Sequence, residues 1–127
     1  MATLEDVLAR TQEHEGVVVE DDGGRFSASV PFKGKIKGYC WTWLERHDPK
    51  KARVPNREVL AIYVSGLAIK DALLSEPKEY WVEDPHYNGY PAVIVRLPLI
   101  PLNELHDLLD EAFLTRSQPV KKRSKSK

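Results

Sequence analysis

Lys33-Gly34-Lys35-Ile36-Lys37-Gly38-Tyr39-Cys40-Trp41-Thr42-Trp43-Leu44-Glu45 is the stretch on which the fold turns. Pro31 and the turn Lys33-Gly34-Lys35 lead into Ile36 to Glu45, whose aromatic and branched residues suit a pleated, half-buried strand. Strict alternation puts Lys35, Lys37, Tyr39, Trp41 and Trp43 on one face, and Ile36, Gly38, Cys40, Thr42 and Leu44 on the other. Upstream, Arg25 to Val30 alternates polar with apolar, and Val17 to Glu20 is a short β-branched run before the turn signal Asp21-Asp22-Gly23-Gly24. The chain therefore meanders as strands from Val17 to Glu45.

On either side the period changes. Leu4, Val7 and Leu8 have helical spacing, and Thr3 with Asp6 three residues on resembles a capping box, so a first helix is predicted from Leu4 to His14, ended by Gly16. His47 to Arg57, with Pro49, Pro55 and Asn56 among its charges, reads as an exposed loop. Val59 to Val64 is a buried strand, Ser65-Gly66 caps a helix from Leu67 to Ser75 stopped by Pro77, and Tyr80 to Val82 is a short strand. After Asn88-Gly89, Tyr90 to Leu97 alternates cleanly between Val93, Val95, Leu97 and Ala92, Ile94, Arg96. Asn103 is the predicted N-cap of a last helix whose Leu105, Leu108, Leu109, Ala112 and Phe113 form a buried stripe. The order of strands and helices is that of an α+β fold.

With 127 residues, the chain is expected to form one domain over residues 1–116, followed by a disordered basic tail over residues 117–127. A single cysteine, Cys40, excludes an internal disulfide and points to a reducing compartment, the cytoplasm. Glu5 and Asp6 fall where a secretory signal would be apolar, and the apolar run Ala92 to Ile100 is interrupted by Arg96 and Pro98, so neither a signal nor a membrane span is expected. Nineteen bases balance nineteen acids, yet the signs are segregated: net −6 over residues 1–22, +6 over 33–57, −6 over 58–116, and five bases without an acid over 117–127. Such blocks can present a positive face to an anionic partner at zero net charge.

Lys33-Gly34-Lys35-Ile36-Lys37-Gly38-Tyr39-Cys40-Trp41-Thr42-Trp43, then Tyr80-Trp81 with Pro85-His86-Tyr87-Asn88-Gly89-Tyr90-Pro91-Ala92-Val93-Ile94-Val95-Arg96-Leu97, and the closing Glu104-Leu105 to Glu111-Ala112-Phe113 together resemble the MmcQ/YjbR family in their order and spacing. The resemblance implies a two-layer domain, an antiparallel sheet with helices packed mainly on one face, similar to secretion-chaperone-like and double-wing domains. It also implies DNA binding, on likeness of shape, and it supplies no catalytic residues.

The residues themselves offer a parallel account. If the face of Lys35, Lys37, Tyr39, Trp41 and Trp43 is open, ammonium groups meet phosphates while rings stack on unpaired bases; alternatively Trp41 and Trp43 are core anchors and the lysines are solvated. Lys50, Lys51, Arg53 and Arg57, with Lys33, Lys35 and Lys37 at a hairpin end, would make two basic projections. Neutralising about five phosphates would give a slope of roughly −4.5 in log K against log salt. The expected partner is DNA or single-stranded nucleic acid; the alternative is a non-catalytic module that binds a protein or a small ligand. No metal or cofactor is expected: His14, His47, His86 and His106 fall on separate elements, and no glycine-rich phosphate loop is present. Asp84, His86 and Arg96 are the residues an enzyme would have to use, but they lack a nucleophile and an oxyanion donor set.

Overall fold

In the computed structural model, residues 2–22, 25–45 and 54–117 are described, apart from the side chains of Phe32, Glu45, Val54 and Pro55. Helix α1 spans Leu4–Gln12, and its N-terminus is a capping box: the Asp6 N–H donates to Thr3 Oγ1 at 3.2 Å and the Thr3 N–H donates to Asp6 Oδ2 at 2.9 Å. Strands β1 (Val18–Asp22), β2 (Arg25–Phe32), β3 (Lys35–Glu45) and β4 (Val54–Tyr63) follow, then α2 (Leu67–Leu74), β5 (Trp81–Val82), a 3-10 turn at Pro85–Tyr87, β6 (Ala92–Arg96) and α3 (Leu102–Ser117). All pairings in the six-stranded sheet are antiparallel, in the order β1-β2-β3-β4-β6-β5. The fold is α+β, as the strand and helix periods imply.

Helix α1 stops at Gln12 rather than His14, β1 continues through Asp21 and Asp22, and β6 is shorter than Tyr90 to Leu97; two further boundaries differ for a definite reason. Strand β4 begins at Val54, so Pro55, Asn56 and Arg57 lie in a strand and not in a loop. Pairing with β6 starts at Val59, so at Pro55 that side of β4 has no ladder for the missing N–H to break. Helix α3 opens at Leu102, and the Leu105 N–H donates to Pro101 O at 3.0 Å, which makes Asn103 a first-turn residue rather than the N-cap.

Leu105, Leu109 and Ala112 of α3 are fully buried against Phe26, Ala28 and Val30 of β2, Cys40 of β3, and Leu60 and Ile62 of β4, with Val93, Val95 and Leu97 completing the layer. Val7 of α1 closes the same core. Each such aliphatic side chain contributes about 2 kcal/mol through burial alone. On the opposite face of the sheet, Ala61, Ala92 and Ile94 are also buried. By register they share that face with Trp41, whose indole reaches the 3-10 turn segment.

Candidate functional site

The decisive local feature is a bulge in β3. Ala28 pairs with Cys40, but Ser29 pairs with Gly38, so Tyr39 is an extra residue with no partner on β2. Tyr39 and Cys40, adjacent in the chain, are both completely buried. The alternation expected from sequence is thereby corrected. Lys35 and Lys37 lie opposite Phe32 and Val30, on the face that carries the α3 core, while Trp41 lies opposite Ser27 on the other face. The lysines and the indoles do not form one surface.

Helix α3 fastens the bulge from above. Arg116 Nε donates to Gly38 O at 3.0 Å, and its guanidinium lies 3.6 Å from the centre of the Tyr63 ring. Tyr39 Oη is 2.7 Å from His14 Nδ1, and His14 Nε2 is 2.8 Å from Asp110 Oδ1. An ionised carboxylate only accepts, so Nε2 carries the proton and donates, and in the neutral ring Nδ1 accepts from the Tyr39 hydroxyl. Phe113 stacks on the imidazole with ring centres 4.4 Å apart. Arg10 donates to both Asp110 oxygens, at 3.1 and 2.6 Å. Burial pushes the Tyr39 phenol and the Cys40 thiol well above their ordinary values.

The Arg10 hydrogen bond, with help from His14, holds the Asp110 carboxyl below its ordinary value. A depressed carboxyl stabilises the fold above its unfolded value and loses that contribution as pH falls through the folded value. The stability gap between the wild type and Asp110→Asn should therefore stay constant from about pH 7 to 5 and shrink below about pH 4, the unfolded range of aspartate. Urea midpoints measured across that range check it, and a gap unchanged down to about pH 3 contradicts the assignment.

Below the bulge, β2 and β3 meet in a tight turn in which Lys33 has φ 53° and Gly34 φ 81°. Positive φ at both central residues is the type I′ signature, which matches strand twist and projects the hairpin end. Lys33 and Lys35 are exposed there and Lys37 is half-exposed. Arg57 is elsewhere: it pairs bidentately with Asp21, at 3.0 and 3.3 Å, and neighbours Asn56, which pairs with Trp43. Strand rise separates that end of β3 from Lys35 by roughly 25 Å. Lys50, Lys51 and Arg53 lie outside the described residues; the strand ends that flank them, Glu45 and Val54, pair at the Arg57 end of the sheet.

The indoles of Trp41 and Trp43 are half-buried and engaged. Trp41 Nε1 donates to Tyr87 Oη at 3.0 Å and Trp43 Nε1 donates to Asp84 Oδ2 at 2.8 Å. Tyr90 meets Trp41 edge-on, and Lys70 of α2 donates to the carbonyls of Tyr87 and Tyr90, so the segment is pinned from both sides. Sequence reasoning missed Lys70, Tyr87 and Tyr90; the aromatic pair flanking Asn88-Gly89 was the available signal. A cleft of about 340 Å³ lies beside them, lined by Lys70, Leu74, Val82, Asp84, Tyr87 and Ile94. His86, which contacts Asp84 at 3.3 Å, and Arg96 do not line it. Among the described residues no three His, Cys, Asp or Glu side chains gather to hold a metal ion, and no helix is long and apolar enough to cross a membrane.

No family model matches the chain. It is 35% identical over 63 residues to the uncharacterized proteins Rv2570 of Mycobacterium tuberculosis and Mb2600 of Mycobacterium bovis. That stretch is 50% of this chain and 49% of each relative, so the likeness spans about half the length of the relatives it matches. Among solved structures, the Deinococcus radiodurans protein DR2400, assigned to the domain family DUF419, superposes with a TM-score of 0.64 over all of this chain and 84% of that protein, at 20% identity. The chain thus shares its α+β fold with a DUF419 protein, and its sequence relatives are bacterial.

Proposed function

We propose that this is a non-catalytic nucleic-acid-binding domain of the MmcQ/YjbR kind, which contacts phosphates through the projecting β2–β3 hairpin. The α+β fold shared with DR2400 is of the kind that the resemblance to that family implies. The observation that carries the binding role is the type I′ turn that holds Lys33 and Lys35 outward at one end of the sheet, with Lys37 behind them. Among the described residues no carboxylate pairs with Lys35 or Lys37. Tyr39 is left out of the contact set because it is fully buried, and Arg57 because Asp21 already occupies its guanidinium. Contacts are then to the backbone and sequence-independent.

Three phosphate contacts give a slope of roughly −2.7 in log K against log salt, shallower than the five-contact value. Fluorescence anisotropy with labelled duplex and single-stranded oligonucleotides, at low and moderate salt, tests this. Lys33→Glu/Lys35→Glu/Lys37→Glu should weaken binding at low salt at least about tenfold, the effect of about 1.4 kcal/mol. Lys50→Glu/Lys51→Glu/Arg53→Glu reports separately on the second basic stretch. Equally weak, salt-insensitive binding by all three proteins would remove the proposal.

A second reading, a module that binds a protein or small ligand, is favoured by α2. None of its residues is buried, Leu67, Ile69 and Leu74 are exposed, and Leu74 lines the 340 Å³ cleft.

A further inference from the structure

A second cleft, of about 330 Å³, runs between α2 and α3 next to β5. Its apolar surface is Leu73, Trp81 and Leu108, all partly buried, and its rim carries Glu76, Glu104, Asp107 and Glu111 against the single cation Lys78. Glu104 accepts from Tyr80 Oη, whose phenol is pushed up to about 12 by burial and by that carboxylate. Glu76 has Lys78 at 4.0 Å. Asp107 and Glu111 have no ion-pair partner among the described residues. An apolar trough rimmed by surplus carboxylates is complementary to an extended segment that carries aliphatic groups and several cations.

This chain carries such a segment: Gln118-Pro119-Val120-Lys121-Lys122-Arg123-Ser124-Lys125-Ser126-Lys127 follows α3 in the sequence. Its starting point is fixed at Ser117, the last residue of the helix that bears the rim. Glu111, Asp107 and Glu104 lie about 9, 15 and 20 Å back along the helix axis at ~1.5 Å per residue. Ten residues extended span up to about 33 Å, enough to reverse direction and pass all three. Tethering also raises the effective concentration of the segment at the cleft to the millimolar range, so weak contacts suffice. We infer that the α2–α3 cleft is a docking groove for the chain's own lysine- and arginine-rich segment, with Val120 against the apolar surface and the cations against Asp107, Glu111 and Glu104. This inference stands apart from the nucleic-acid reading, although a polyanion would compete with the cleft for the same cations.

Paramagnetic relaxation on the full chain tests it. A nitroxide is attached at Ser126→Cys; Cys40 is buried and escapes labelling. At roughly 0.05 M salt the Trp81 indole N–H and the amides of Glu104 to Glu111 should lose most of their intensity, and at roughly 0.5 M salt recover it, because screening weakens exposed ion pairs. Asp107→Lys/Glu111→Lys, at solvent-facing positions, should abolish the loss; so should Lys121→Glu/Lys122→Glu/Arg123→Glu, which leaves the described fold untouched. Attenuation absent from the cleft, or unaffected by both charge reversals, overturns the inference. Attenuation of an isotope-labelled, nitroxide-free chain by an unlabelled nitroxide-bearing one overturns it too, since the occupant is then a second copy.

Discussion

Leu109→Ala is expected to lower the free energy of unfolding by about 3 kcal/mol, within the 2–5 kcal/mol range of buried leucine truncations. Leu109 is completely buried at the centre of the α3 stripe, between Leu105 and Ala112, where the helix lies across β2, β3 and β4. The loss has two parts: the transfer free energy of the removed methyl-bearing carbons, and the contacts forfeited around a gap that a helix held on three strands cannot close. Urea unfolding at neutral pH gives the value directly. A loss below about 1 kcal/mol would mean that the helix collapses onto the gap and that its seat on the sheet is far looser than the burial of Leu105, Leu109 and Ala112 requires.

Tyr39→Ala should cost about as much, 3–5 kcal/mol, while Tyr39→Phe should cost about 1–2 kcal/mol. The ring fills the space between the bulge, His14 and Phe113, the latter with ring centres 5.9 Å from it. The hydroxyl supplies the donor that His14 Nδ1 accepts, and a phenylalanine would leave that nitrogen buried without one. The difference between the two variants separates packing from the hydrogen bond. If the phenylalanine variant matched the wild type, the His14 contact would be dispensable and the ring alone would fix the bulge. If it unfolded as readily as the alanine variant, the hydroxyl would be the determinant. Thermal and urea midpoints for both variants decide between these outcomes.

Where the backbone is regular, side-chain period carried the fold: Val93 and Val95 of β6, Leu97 just beyond it, and the Leu105–Ala112 stripe of α3 are buried as their spacing implies. The N-terminal cap was also readable, because Thr3 and Asp6 act on each other across a single turn. The bulge was not, since a period of two assumes that every strand residue has a partner, and Tyr39 has none on β2. A signal existed in Gly38, a glycine inside a strand, which is where a bulge is to be suspected. The hairpin lysines could be located from Lys-Gly-Lys, a local motif. What neutralises Arg57 could not, because Asp21 is 36 residues away, nor could the engagement of Trp41 by Tyr87 across 46. Contacts set by the sheet's strand order leave no trace in neighbouring residues.

The same strand order bears on solubility. The outermost strands of an open sheet expose unpaired N–H and C=O groups on which another molecule can build, and many sheet proteins aggregate by that route. Here one margin is β1, whose Glu20 and Asp22 flank the Arg57-paired Asp21, and the other is β5, which has two residues. Like charges repel an incoming copy at the first margin, and the second is too short a template to seed fibril growth. The acids that make the amino-terminal block so negative thus double as gatekeepers against pairing at that margin.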